Sequence, residues 1–169
     1  MICCVTGHRP KGFPFPRNKE NELYKLYLKN LKKEIKILIG EGYDHFISGM
    51  ADGADSDFAV CVAELRQSGY SIILEAALPY PVQKRKNENS VSENSRKDLL
   101  GKCDVVVEVS PYFFRGCMHK RNRYMVDKAD VILAIWNGED HGGTWSTIKY
   151  ANLRKKEIRY IYLHDLSLQ

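Results

Sequence analysis

Ile47-Ser48-Gly49-Met50-Ala51-Asp52-Gly53-Ala54-Asp55 is an apolar run that breaks into two glycines four apart and then passes into a stretch with helical spacing. Gly138-Glu139-Asp140-His141-Gly142-Gly143-Thr144 repeats the arrangement after another apolar run and before another helix-like stretch. Glycine takes positive φ and lets a ligand approach the main chain closely. A helix starting there turns its unpaired N–H groups and positive dipole end toward the same ligand. Strand, glycine loop and helix are together the parts of a seat for an anion. The two loops therefore predict a protein that binds a nucleotide or a nucleotide derivative.

Outward from these loops, short apolar runs alternate with helix-length segments along the chain. Strands are expected at 2–6, 45–48, 71–78, 104–109, 131–136 and 159–163. Continuous β-branched runs such as Val105-Val106-Val107 and Val131-Ile132-Leu133 suit strands covered on both faces. Tyr24, Tyr27, Leu28, Leu31, Ile35, Leu38 and Ile39 keep helical spacing, as do Phe58, Cys61, Val62 and Leu65. Gly69 follows the second set as a C-cap, and 120–128 and 145–155 supply two further helices. Pro14 and Pro16 make 11–17 a loop. The segment 82–98 holds almost no apolar residue except Val91 and reads as a solvated helix or a loop. The alternation predicts an α/β fold, a Rossmann-like three-layer sandwich with a mostly parallel sheet. Neither a repeat nor a linker interrupts it, so residues 1–169 are expected to form one domain.

Composition narrows the class. The chain has 44% hydrophobic and 28% charged residues, ordinary for a globular protein. Its net charge of +5 suits an anionic ligand but falls short of a dedicated nucleic-acid binder, so nucleic acid is disfavoured as a partner. The five cysteines are scattered without a Cys-x-x-Cys pair, against both zinc ligation and a secreted disulfide framework. No signal-like leader or membrane-length apolar run is evident. A cytoplasmic protein without a membrane partner is expected. The sequence leaves the oligomeric state, including a homo-oligomer, open.

Four stretches carry candidate chemistry. Thr6-Gly7-His8-Arg9-Pro10 follows the first strand, at the carboxyl end where ligands bind in such sheets. Gly7 permits close approach there, and Arg9 offers a bidentate fork to phosphate or carboxylate; the plainer alternative is a surface turn. Ser48, Gly49, Met50, Gly53 and Asp55 form the second loop, which lacks both the P-loop and the Gly-x-Gly-x-x-Gly fingerprints. Asp55 is read equally as an acceptor for a ribose hydroxyl and as an anion placed in a first helical turn. Gly142 and Gly143 lead into Thr144, a reasonable N-cap whose hydroxyl could equally hold a phosphate. In Arg121-Asn122-Arg123-Tyr124-Met125-Val126-Asp127, a helical basic run, Asn122 and Asp127 stand too far apart to act on adjacent turns. His8, His119 and His141 lack metal-ligand spacing, and no nucleophilic triad is visible.

Taken in order, these four stretches resemble the YpsA-like branch of the SLOG superfamily, nearly end to end. Arg-Asn-x-Tyr-Met-Val-Asp at 121–127 is the most specific piece. The resemblance implies a Rossmann-like fold and kinship with the DNA-processing protein DprA and with the LOG phosphoribohydrolases. It also implies a nucleotide-type ligand, such as an ADP-ribose or NAD derivative, and brings Asn122 and Asp127 into the candidate set. LOG enzymes carry Pro-Gly-Gly-x-Gly-Thr followed shortly by a catalytic glutamate. Here Gly143-Thr144 is followed by Trp145-Ser146-Thr147-Ile148-Lys149, with no carboxylate in that turn. The expectation is thus a nucleotide-binding sensor or regulatory protein, with a small-molecule nucleotide derivative as partner, no cofactor identified and no catalytic residue assigned. Glycosidic-bond hydrolysis of the LOG type is the first alternative. A DprA-like single-strand DNA binder, hinted at by Tyr112, Phe113, Phe114 and Arg115, is the second.

Overall fold

The computed structural model describes residues 1–81 and 90–167. Six strands, β1 (Ile2–Gly7), β2 (His45–Ser48), β3 (Ile73–Leu78), β4 (Val105–Glu108), β5 (Val131–Trp136) and β6 (Glu157–Tyr162), form one sheet in the order β4-β3-β2-β1-β5-β6. Every neighbouring pair is parallel, with Val5 opposite Leu133 and Phe46 opposite Leu74. The expected strands are all present, with ends displaced by at most two residues.

Among the described residues five α-helices connect them: α1 (Glu22–Gly40), α2 (Ala54–Gln67), α3 (Ser90–Leu100), α4 (Cys117–Lys128) and α5 (Gly142–Leu153). Asn21 caps α1, its side-chain oxygen accepting from the Tyr24 amide at 3.0 Å. The α1 stripe Tyr24, Tyr27, Leu31, Ile35 and Leu38 is buried against one sheet face with Phe58, Val62 and Leu65 of α2. A fully buried Leu or Ile contributes roughly 1.5–3 kcal/mol, so this stripe is a main source of stability. On the opposite face Met125 and Val126 of α4 and Ala151 of α5 cover Cys4, Ile47 and Ile132. Gly69, at φ +100°, follows the last turn of α2 as the expected left-handed residue.

Two expectations change in detail. Residues 90–98, read as solvated helix or loop, belong to α3, while 82–89 lie outside the described residues. Thr144 is not the cap of α5. Gly142, at φ +80°, makes the turn into the helix two residues earlier, and His141 takes the cap position.

The strand order places the site. After β1 the chain runs to β2 on one side, and after β5 it runs to β6 on the other. Loops at neighbouring strand ends therefore part, leaving a crevice above the carboxyl ends of β1 and β5.

Candidate functional site

A cleft of about 370 Å³ fills that crevice, within the usual range for small-ligand sites. Thr6, Gly7, His8 and Arg9 come from the end of β1, Ala51 and Asp55 from the entry to α2. Arg121 and Asn122 of α4 and Gly143, Thr144 and Thr147 of α5 complete it. Three loops far apart in sequence are thus gathered at one sheet edge.

The glycines divide into two kinds. A Cβ on Gly7 would run into Ala54 Cβ and lie 3.0 Å from Ile135 Cβ. One on Gly49 would overlap the Arg121 guanidinium and sit 2.6 Å from Asp55 Oδ2. Gly53, at φ +114°, would meet the His8 carbonyl and lie 2.8 Å from Arg9 Cα. These three let chain pack on chain. Gly142 and Gly143 have nothing within 4 Å of such a Cβ, so among the described residues open space surrounds those two positions.

The two helix starts differ accordingly. At α2 the Ala54 amide donates to the His8 carbonyl at 3.0 Å and the Ser56 amide to the Ala51 carbonyl at 3.1 Å. Arg17 seals that end, donating to Asp57 Oδ1 at 2.7 Å and to the Gly53 carbonyl at 3.3 Å. The first-turn amides of α5 have no intrahelical acceptors, and Gly143 and Thr144 line the cleft. Of the two glycine loops, the second presents its helix dipole to the cleft.

The floor is built on Arg121, which the sequence offered only within a basic run. Buried at 5% exposure, its guanidinium donates to the Gly49 carbonyl and to the Ala77 carbonyl at 3.4 Å, joining the ends of β2 and β3. Its Nη1 lies 3.8 Å from Asp55 Oδ2, and its Nε donates to Asn122 Oδ1 at 2.8 Å. Asn122 Nδ2 donates to Thr147 Oγ1 at 2.9 Å, and that hydroxyl to the Gly143 carbonyl at 2.9 Å. A continuous polar chain therefore runs from Asp55 beneath the cleft to the glycines of α5. Burial raises the Asp55 carboxyl above its usual range, opposed by the nearby Arg121 charge. The same burial lowers Arg121, with Asp55 pulling it back.

His8 is the other feature of note. Its Nε2 is buried without a hydrogen-bond partner, in a side chain that lines the cleft. Burial lowers its pKa, while the Glu139 charge and the Asn137 side chain act the other way. The ring fits because Gly12 has no Cβ, which would stand 2.7 Å from it.

The remaining sequence candidates are placed as follows. Arg9 is exposed at the cleft mouth. Ser48 is fully buried, donating to the Asp55 carbonyl at 2.8 Å and accepting from the Met50 amide at 3.1 Å. Met50 takes φ +55° and faces a second, adjoining cavity together with Gly49. Asp127 stands away from the cleft, paired with Arg154 Nε at 2.8 Å and accepting from Tyr150 Oη at 3.0 Å. Among the described residues, no group of three or more His, Cys, Asp or Glu is placed to hold a metal ion. No helix among them is long and apolar enough to cross a membrane.

Comparison with known proteins agrees with this architecture. A model of the YspA SLOG family (YpsA) matches residues 3–166. A UPF0398 protein of Bacillus pumilus is 30% identical over 173 residues, covering 99% of this chain and 91% of the relative. A UPF0398 protein of Halalkalibacterium halodurans is 29% identical, covering 98% and 89%. Among solved structures, DNA processing protein A (DprA) from Streptococcus pneumoniae superposes with a TM-score of 0.59 at 15% identity. That match covers 94% of this chain and 49% of the DprA chain, and the likeness is one of fold.

Proposed function

The chain belongs to the YspA SLOG family, and from that premise we propose that it binds a nucleotide or nucleotide derivative in the β1/β5 cleft, as a sensor or regulatory protein. The observation that carries this reading is the open first turn of α5 at a cleft also lined by His8, whose Nε2 is buried and unpartnered. An orphaned polar atom costs roughly 1–3 kcal/mol of desolvation, which a ligand hydrogen bond would relieve. The Gly143 and Thr144 amides supply an anion seat and His8 a neutral hydrogen-bonding group. Arg9 supplies an exposed cation at the mouth. A phosphate on α5 would place an attached ribose over the Asp55–Arg121 floor.

Calorimetry with AMP and ADP-ribose tests this. Binding is expected, weakened about tenfold by Arg9→Ala, the scale of one hydrogen bond to a charged group, and restored only in part by Arg9→Lys. Absence of binding to both ligands refutes the proposal. A salt-dependent single-strand DNA assay would then test the alternative that DprA's fold brings to mind.

One observation favours a second reading, N-glycosidic hydrolysis. Asp55 lines the cleft with its carboxyl raised by burial, as a general acid requires. Against it, the carboxylate lies beside the Arg121 guanidinium and accepts from the Ala51 amide at 3.4 Å. Chromatography should detect no adenine released from AMP; release abolished by Asp55→Asn would establish the enzyme instead.

A further inference from the structure

The cleft continues past its rim. A second cavity of about 50 Å³ opens beside it, and Arg9, Ala51, Met118 and Arg121 line both. The two differ in character. Thr6, His8, Asn122, Thr144 and Thr147 line the first, whereas Met50, Leu78, Pro79, Tyr80 and Leu100 line the second, together with Arg9, Arg96 and Arg121. Tyr80 holds the ring of Phe113 edge-on, with centroids 5.4 Å apart and planes at 85°. Phe113 nevertheless remains 66% exposed. An edge-to-face contact fixes a ring by its quadrupole while leaving an aromatic face uncovered.

We infer that the Tyr80–Phe113 pair is the stacking platform for the base of the nucleotide whose phosphate end sits in the first cleft, an inference that rests on the reading above. The second cavity is too small to enclose a purine, so the base lies across its mouth against the aromatic rings. The shared wall makes the two sites one groove, with Arg9 at the junction. The second cavity's aliphatic and aromatic walls offer a surface for a flat ring, bordered by the side chains of Arg9, Arg96 and Arg121. Recognition there follows stacking area, and purines are held more tightly than pyrimidines.

The test is calorimetry of the full chain with AMP and with ribose 5-phosphate, which carries the same phosphate and sugar but no base. Phe113 is exposed, so Phe113→Ala should fold, which its melting curve checks. The variant is expected to bind AMP about tenfold more weakly, the scale of one base–aromatic stack, and ribose 5-phosphate as the wild type does. Phe113→Trp should restore AMP affinity. Equal AMP affinity for wild type and Phe113→Ala overturns the platform alone, as does an equal loss for both ligands. A wild type that binds neither AMP nor ADP-ribose overturns the nucleotide reading and the platform with it.

Discussion

Gly7→Ala and Gly143→Ala are chemically the same change at two walls of one cleft, and the structure assigns them opposite effects on stability. The Gly7 methyl would be driven into Ala54 Cβ and stand 3.0 Å from Ile135 Cβ and 3.1 Å from the Ile135 carbonyl. Relief requires backing α2 away from β1, but the Ala54 amide is tied to the His8 carbonyl at 3.0 Å, so the strain has no cheap outlet. Overpacking of this kind costs about 1–3 kcal/mol, and the rigid contact puts Gly7→Ala near the top of that range. For a 169-residue chain, an unfolding entropy near 2.1 cal/mol/K per residue converts about 3 kcal/mol into a Tm lowered by about 8 °C. At Gly143 the methyl meets nothing within 4 Å, and the residue lies in the first turn of α5. Alanine should stabilise there by about 0.5–1 kcal/mol, raising Tm by about 1–3 °C. Differential scanning calorimetry of the pair without ligand reads both signs. A neutral Gly7→Ala, or a Gly143→Ala that melts lower than wild type, would refute the division between packing and open glycines.

Two further outcomes concern pH. Glu75, buried on the sheet, accepts from His45 Nε2 at 2.7 Å, Tyr124 Oη at 2.8 Å and Lys128 Nζ at 2.6 Å. Burial alone would raise its carboxyl, but these partners outweigh it and hold the folded value below the usual one. That stabilisation is complete above the unfolded pKa of about 4.3 and is lost as pH falls through the folded value. Denaturant titrations from pH 3 to 7 should show this acid-side loss in the wild type and a flatter limb in Glu75→Gln; parallel profiles would remove Glu75 from the account. His8 is lowered by burial, so the unfolded chain binds its proton more readily, and the contribution is lost as pH drops below about 6.5. A bound anion should reverse that preference. Affinity for ADP-ribose, whose phosphates do not titrate in this range, should rise from pH 8 to 5.5, and His8→Gln should abolish the slope.

The fold was legible because it rests on periodicity. Val131-Ile132-Leu133 is a central strand, and the Tyr27–Leu31–Ile35–Leu38 stripe is the buried face of α1. The gathering of Gly7, Gly49 and Gly143 at one sheet edge follows from the β/α alternation, since each comes at or after the carboxyl end of a strand. What each residue does there was not legible. Gly7 and Gly53 look like ligand glycines in sequence, yet Ala54 and the His8–Arg9 backbone occupy their free sides. Arg121 sits in a run of basic residues on α4, and only the crossing of α4 over the ends of β2 and β3 shows that it is buried. Asp127, six residues on, lies further along the helix, where it pairs with Arg154 rather than facing the cleft. Helical spacing alone contains the offset, but which turn meets the sheet edge is a tertiary fact. The Tyr80–Phe113 contact joins the end of β3 to the loop after β4, and no local pattern links them.

The central claim is that the β1/β5 cleft, with the open start of α5 and the unpartnered His8, receives a nucleotide. A crystal structure of the protein with AMP tests it most directly. The account predicts the phosphate on the Gly143 and Thr144 amides, a ligand atom within hydrogen-bond distance of His8 Nε2, and the ribose above Asp55 and Arg121. A nucleotide bound elsewhere with this cleft filled only by water, for instance in the groove of Arg17, Lys29 and Lys32 between α1 and α2, would contradict it.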